Sequence, residues 1–304
     1  MLVVALVAIG AFAVSIDQNL NRAAALPSES AAVPSTAGTN WLIVGSDSRD
    51  GLTAQEQRDL ATGGDVGQRT DTIMLLHSGS GGATLVSLPR DSFVDIPGQG
   101  RGKLNSAYAF GGADLLVRTV EQATGLRIDH YAEIGFGGFV GAVDAVGGVE
   151  LCVTEAIKDS KAALDIEEGC QEMDGPTALG YVRTRATAGS DFDRVERQRA
   201  FLAALVSKAT SPTTLINPFR LVPLGAALSG AITVDDGDHV WHLAGLGLAM
   251  RGLTGGEGIT TTVPVASTGN VDGQSIVRWN RDRASTLFDA LARDETPPKS
   301  ALGP

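Results

Sequence analysis

From Trp41 onward the chain alternates short apolar runs of strand length with longer stretches whose apolar residues recur at helical spacing. That alternation limits its possible folds more than any other feature. Residues 41–45, 72–77 and 83–88 read as strands, and Leu115, Leu116, Val117 and Val120 define a helix over 113–123. A strand over 128–136, a helix over 139–146 and a strand over 149–153 follow. A long helix over 191–209 comes next, then Ala/Leu/Gly-rich helices near 221–228 and 239–253 and late strands over 259–265 and 275–279. Asn280 caps a final helix that runs through Ala292. No internal repeat is visible. This order predicts an α/β fold, a single α/β/α sandwich with a central mixed sheet over residues 40–294 and a C-terminal tail over 295–304.

The 304 residues would make about two average domains, yet α/β units of ~250 residues are common. Hydrophobic residues make up 43%, enough for a sizeable core, and with a charged fraction of 19% they exclude a disordered chain. Asp plus Glu (35) outnumber Lys plus Arg (24), a net charge of −11 that argues against a nucleic-acid partner. Two cysteines cannot by themselves make a four-ligand zinc site, and the four histidines are scattered.

Residues 1–16 carry no charge. As a helix they would span roughly 24 Å, short of a ~30 Å hydrocarbon core, and no basic segment precedes them. They read as the outer remnant of a single-pass membrane anchor whose cytoplasmic start lies outside this sequence; a buried N-terminal helix is the alternative. Residues 17–39, rich in Ala, Ser and Pro, read as a linker to an extracytoplasmic domain. Cys152 and Cys170, 18 positions apart, fit that compartment as a disulfide closing a polar loop, against the alternative of two unrelated buried thiols.

No P-loop, dinucleotide fingerprint or nucleophile elbow occurs, and His77 and His130 lie in strand-like runs where packing or edge roles suit them better than catalysis. The informative residues are polar ones in unlikely places. The first strand ends in Gly45-Ser46-Asp47-Ser48-Arg49 and the second begins Arg69-Thr70-Asp71-Thr72. Antiparallel pairing brings Asp47 beside Asp71, and two adjacent carboxylates suit Mg²⁺ unless both only cap the chain. Pro89-Arg90-Asp91 turns the third strand's end toward a cleft or toward solvent, and Lys103 and Asn105 follow in a loop that leads through Tyr108 to Gly111-Gly112.

On the 191–209 helix, Val195, Phe201, Leu202, Leu205 and Val206 form the inward stripe. Arg194 and Gln198 fall on or beside that stripe, whereas Glu196 and Arg199 point to solvent. Inward cations need partners, and with Arg183 and Arg185 just upstream they suit a pyrophosphate, or else salt bridges to Asp191, Asp193 and Glu196. The small-residue stretches 224–228 and 243–250 offer either a slot for a lipid tail or close helix packing.

In order, these segments resemble the LytR-CpsA-Psr family: Gly45-x-Asp47-x-Arg49, Arg69-Thr70-Asp71-Thr72, Leu88-Pro89-Arg90-Asp91, Lys103-x-Asn105, Tyr181-x-Arg183-x-Arg185 and Asp191-x-x-Arg194-x-x-Arg197-Gln198. The resemblance is dense over 40–210 and looser beyond. It implies a membrane-anchored, extracytoplasmic phosphotransferase that moves a glycan from a polyprenyl-pyrophosphate carrier to the muramic acid C6 hydroxyl of peptidoglycan. The resemblance to actinobacterial members implies arabinogalactan as the glycan. By it, Asp47 and Asp71 hold Mg²⁺, and Arg69, Arg90, Lys103, Arg183, Arg185, Arg194, Arg197 and Gln198 bind pyrophosphate. Arg90, Asp91, Arg185 and Arg194 are then the catalytic candidates, with Asp91 the acceptor of the hydroxyl proton. A polyprenyl-pyrophosphate hydrolase and a membrane-anchored regulatory protein are the alternatives.

Overall fold

The computed structural model describes residues 2–49, 52–62, 70–184, 186, 190–256 and 258–303. The chain opens with α1 (Leu2–Gln18), β1 (Asn21–Ala23) and β2 (Thr39–Ser46). Then come α2 (Ala54–Asp59), the hairpin β3 (Thr70–Gly79) and β4 (Gly82–Ser87), and a second hairpin, β5 (Phe93–Ile96) and β6 (Gly100–Lys103). The middle of the chain holds α3 (Leu104–Thr124), β7 (His130–Ile134) and α4 (Phe136–Ala145). A group of small strands follows: β8 (Val149–Val153), β9 (Ile157–Asp159), β10 (Leu164–Ile166) and β11 (Gly169–Met173). Next are α5 (Gly175–Arg183), α6 (Ser190–Ala209), α7 (Pro212–Leu215), α8 (Pro218–Ala231), β12 (Ile232–Asp235) and α9 (Val240–Thr254). The chain closes with β13 (Ile259–Thr262), β14 (Val265–Val271), β15 (Gln274–Trp279) and α10 (Arg281–Ala292).

Seven strands form the central sheet in the order β1-β12-β7-β2-β3-β4-β13. It is mixed: β2 pairs parallel with β7 and antiparallel with β3, and β4 pairs parallel with β13. Successive side chains of a strand face opposite sides, so each strand feeds two cores. Leu42, Val44, Ile73, Leu75 and Val86 pack against α3 and α10. Trp41, Met74, Leu76 and Leu85 face the other way, onto Leu202 and Val206 of α6 and Met250 of α9. The expected α/β/α sandwich is therefore present, with a further apolar cluster where α4 and α5 meet β8 and β11. Asn280 caps α10 by accepting the backbone N–H of Arg283 at 3.2 Å.

Several expectations are corrected. Residues 17–39 are not a free linker: β1 joins the sheet edge beside β12, Leu20 and Ala25 are buried, and Ala37 N–H bonds the Ala292 carbonyl at 3.1 Å. Lys103 and Asn105 do not sit in a loop. Helix α3 starts at Leu104, burying Leu104, Ala107 and Tyr108, and kinks at Gly111-Gly112, where Gly112 has φ +63°. The segment between the cysteines holds the hairpin β9–β10, and Cys152 and Cys170 form a disulfide between paired positions of β8 and β11. The C-terminal residues also pack onto the domain, with Gly303 N–H donating to Thr261 Oγ1 at 2.9 Å and Ala301 buried. Among the described residues no helix is long and apolar enough to cross a membrane. The C-terminal half of α1 lies on α8, with Phe12 and Ile16 crowding the place where a Cβ at Gly225 would sit.

His77 is buried and structural, as its strand setting suggested. Its Nδ1 pairs with Asn40 Oδ1 at 2.8 Å and its Nε2 with Asp294 Oδ1 at 3.2 Å.

Candidate active site

The charged residues gather where β2 and β3 run out. Gly45 pairs with Thr72 and Ser46 with Thr70, so the register shift leaves Asp71 as an extra residue. Such a bulge re-aims a side chain, and here it sets Asp71 at the strand end from which Asp47 departs. The hydroxyls of Ser46 and Thr70 are buried there without a hydrogen-bond partner among the described residues. Asp47 and Asp71 are the next residues along the chain, and carboxylates and hydroxyls are oxygen donors of the type that a hard cation such as Mg²⁺ takes.

A ladder of ion pairs leads away from this point. Arg90 donates to Asp71, its Nε lies 3.6 Å from Asp91 Oδ2, and Lys103 Nζ lies 2.9 Å from Asp91 Oδ1. Each oxygen of Asp91 thus faces a cation. In this geometry Asp91 holds Arg90 and Lys103 in place. Lys103 is fixed by its position at the end of β6 and the N-cap of α3.

Arg183, the last residue of α5, is half-buried and donates to the carbonyls of Leu60 and Ala61 at 2.8 and 3.1 Å, with its guanidinium 4.8 Å from the Phe136 ring centre. Burial pulls its pKa down; nearby Asp71, Asp159 and Asp47 oppose that shift and Arg49 adds to it. Arg49 donates to the Thr62 carbonyl at 3.0 Å, so both arginines grip the chain just after α2. Arg49 belongs to this cluster, although sequence reasoning placed it only within a motif.

On α6, Gln198 faces inward as expected and donates to the Val182 carbonyl at 3.4 Å, while Arg197 donates to the Thr184 carbonyl at 2.8 Å. Glu196 is exposed as expected. Arg199 departs from the expectation. Instead of facing solvent it is half-buried, donates to Ser87 Oγ at 2.9 Å and to Thr262 Oγ1, and so ties α6 to the ends of β4 and β13. Burial lowers its pKa. Arg69 and Arg185 lie outside the described residues, as does the side chain of Arg194, whose backbone belongs to α6.

Asp71, Arg183 and Gln198 rim a cavity of about 150 Å³ that runs between the sheet and α4, α5 and α6. Ile43, Met74, Phe136, Phe139, Val182, Phe201, Leu202 and Leu205 line its interior. Phe139 and Phe201 stack with ring centres 4.6 Å apart. The lining is mostly apolar, a surface that suits an apolar ligand, with the polar side chains of Asp71, Arg183 and Gln198 at the same cavity. Of the two readings of 224–228 and 243–250, close packing describes several of their residues: Leu224 is buried with the α4–α5 cluster, and Leu243, Leu246 and Met250 lie against the sheet. The cavity was not visible from sequence because its walls come from five separate segments. An anionic head held by the rim with an apolar tail inside is what this arrangement accepts.

The model of the LytR_cpsA_psr family matches residues 6–293. Over 293 residues the chain is 55% identical to the probable cell wall biosynthesis protein LcpB of Corynebacterium glutamicum, covering 96% of this chain and 69% of that protein. It is 44% identical over 136 residues to the polyisoprenyl-teichoic acid–peptidoglycan teichoic acid transferase TagU of Enterococcus faecalis, covering 44% of each. Among solved structures, the LytR-Csp2A-Psr enzyme from Actinomyces oris matches with a TM-score of 0.67 at 26% identity, over 92% of this chain and 97% of that one. With its motifs in order, its fold shared and the family match running over nearly its whole length, the chain belongs to the LytR-CpsA-Psr family.

Proposed function

We propose that this protein is a phosphotransferase that moves a glycan from a polyprenyl-pyrophosphate carrier onto peptidoglycan. The observation that carries the proposal is that Asp71, Arg183 and the polar amide of Gln198 line the same cavity as a large apolar surface. A polyprenyl pyrophosphate is an amphiphile of that shape. The likeness to a transferase named for a polyisoprenyl-linked donor and a peptidoglycan acceptor supports the same reading. In the reaction an acceptor hydroxyl, on our reading the C6 hydroxyl of muramic acid, attacks the phosphorus that carries the glycan. The bond from that phosphorus to the bridging oxygen breaks, polyprenyl phosphate leaves, and the hydroxyl proton is released.

Such a transfer asks for positioning and charge neutralisation more than for covalent chemistry. Arg90 is held by Asp71, which lines the cavity, and by Asp91, which also pairs with Lys103; in this proposal both cations neutralise the pyrophosphate. Arg69, Arg183, Arg185, Arg194, Arg197 and Gln198 complete the pyrophosphate pocket in this proposal. Asp47 and Asp71, with the hydroxyls of Ser46 and Thr70, would hold Mg²⁺, which when bound neutralises charge on the pyrophosphate. We read the glycan as arabinogalactan from the likeness to the corynebacterial cell wall protein. We read the domain as extracytoplasmic, with residues 1–16 belonging to its membrane anchor. The disulfide and the absence of charge over residues 1–16 support that placement.

Photolabelling tests the cavity. A polyprenyl pyrophosphate carrying a photoreactive group near its head should crosslink to peptides of α4 and α6. Leu202→Trp, which fills the cavity, should abolish the crosslink while the fold persists. Labelling centred on 224–228, or unchanged by Leu202→Trp, would overturn the assignment.

A further inference from the structure

Three of the protein's four histidines lie together at the far end of the sheet from the phosphate pocket. His130 opens β7, and His239 and His242 sit at the start of α9. In the ladder with β2, His130 pairs with Trp41 and Ile134 with Gly45, so the cluster lies roughly 13 Å along the strand from the rim. At its centre is Asp238, whose carboxylate is only 2% exposed. Its Oδ2 accepts the Tyr131 N–H at 3.0 Å, while its Oδ1 meets His130 Nδ1 and lies 3.2 Å from His242 Nδ1. His130, Asp238 and His242 each offer a ligand atom, and these atoms lie within 4.8 Å of one another.

The hydrogen-bonding pattern is not self-sufficient. His242 Nδ1 also lies 3.2 Å from the backbone N–H of His239, so one ring nitrogen faces a donor and a carboxylate acceptor together. That nitrogen has a single in-plane site. Protonated, it opposes the N–H; unprotonated, it opposes the carboxylate. A cation shared between Asp238 and the two imidazoles would give the carboxylate a positive partner without a proton on His242 Nδ1, in exchange for the contact with the His239 N–H. The edge of a tetrahedron with 2.0–2.1 Å metal bonds is about 3.3 Å, close to the Asp238–His242 separation, whereas the His130–Asp238 pair stands closer than that and must open to admit an ion.

The surroundings hold these side chains as ligands are held elsewhere. The His130 ring stacks on Trp41 at 4.5 Å, and Arg22 donates to the Asp238 carbonyl at 3.1 Å. Asp17, at the end of α1, accepts the Val240 N–H at 2.9 Å and pairs with His239 at 3.1 Å, adding a second negative charge. We propose that His130, Asp238 and His242 bind a divalent transition-metal ion of the zinc class. Two imidazoles and one carboxylate select such an ion over Mg²⁺ and leave a position for water. The ion would join β7 to the start of α9 where α1 meets the domain, at the other end of the sheet from the pocket proposed for phosphoryl transfer.

The test uses the full chain without a polyhistidine tag, stripped with chelator and titrated with Zn²⁺ by calorimetry and with Co²⁺ by visible absorption. The expected result is one saturable site of micromolar affinity or tighter, a cobalt spectrum of tetrahedral intensity and a higher melting temperature with Zn²⁺. His242→Gln, at a partly exposed position that tolerates the change, should weaken binding at least ~100-fold, the upper range for losing even a supporting partner. His130→Gln should do the same, with far-UV circular dichroism of both unchanged. Asp47→Ala should bind Zn²⁺ like the wild type. Absence of saturable binding by the wild type, or equal binding by the wild type and His242→Gln, would overturn the proposal.

Discussion

Asp71→Asn separates the structural and chemical roles of the carboxylate at the bulge. Asn is nearly isosteric and still accepts a hydrogen bond from Arg90, so only the charge is lost. Asp71 is 44% exposed on its side chain, which screens its pair with Arg90, and Arg90 keeps Asp91 at 3.6 Å as a second partner. Exposed pairs contribute ~0–1 kcal/mol, so the variant should melt within about 3 °C of the wild type. Turnover should behave differently. If Asp71 helps to hold the cation that neutralises the pyrophosphate, its neutral analogue forfeits about 3 kcal/mol in the transition state, at least ~100-fold in rate. Melting and single-turnover consumption of a polyprenyl-pyrophosphate glycan, measured on one preparation, give both numbers. Unchanged turnover, or destabilisation by several kcal/mol, would refute the reasoning.

Other outcomes follow from the same contacts. Arg199→Leu removes two charge-assisted hydrogen bonds to Ser87 and Thr262 and should cost about 1–3 kcal/mol in denaturant melts, with turnover per folded molecule unchanged. Reducing the Cys152–Cys170 bridge, which spans 18 positions, should cost roughly 3 kcal/mol in the chain-entropy model, read as a lower denaturation midpoint. Asp294 has its pKa depressed, chiefly by the Ser80 hydroxyl and N–H that bond its carboxylate. The charged form is therefore favoured in the folded state, and the stability it adds is present above the ordinary value of 3.8 and lost as pH falls through the lowered one. The melting advantage of the wild type over Asp294→Asn should be full near about pH 6 and shrink below 3.8.

Local signals carried much of the fold into the sequence. Alternating and helical apolar patterns located the central strands β2, β3 and β4, the long α6 and the Asn280 cap, because each depends on neighbours close in the chain. Pairing β2 against β3 brought the Asp47 and Asp71 segments to one strand end before any coordinate was known. What escaped depends on distant partners. The strand at 21–23 has no apolar period of its own and exists because β12 offers it an edge. Arg199 lies outside the apolar stripe of α6, yet its long stem reaches hydroxyls supplied by β4 and β13. The stretch before Gly111-Gly112 reads as a loop but is helical, because Leu104, Ala107 and Tyr108 are buried; the two glycines then interrupt the helix with non-helical backbone. The apolar cavity was invisible for the same reason: Phe136, Phe139 and Phe201 meet only once α4 and α6 cross the sheet.

Product analysis tests the account most directly. The protein is incubated with a polyprenyl-pyrophosphate-linked glycan and Mg²⁺, with and without peptidoglycan, and the products are resolved by mass spectrometry. The account expects polyprenyl phosphate to accumulate with peptidoglycan present, matched by glycan joined to the wall through a phosphodiester, and little consumption without the acceptor. Equal release of free glycan phosphate in both reactions would make the protein a hydrolase, and no consumption in either would leave the cavity and its charged rim without the role assigned to them.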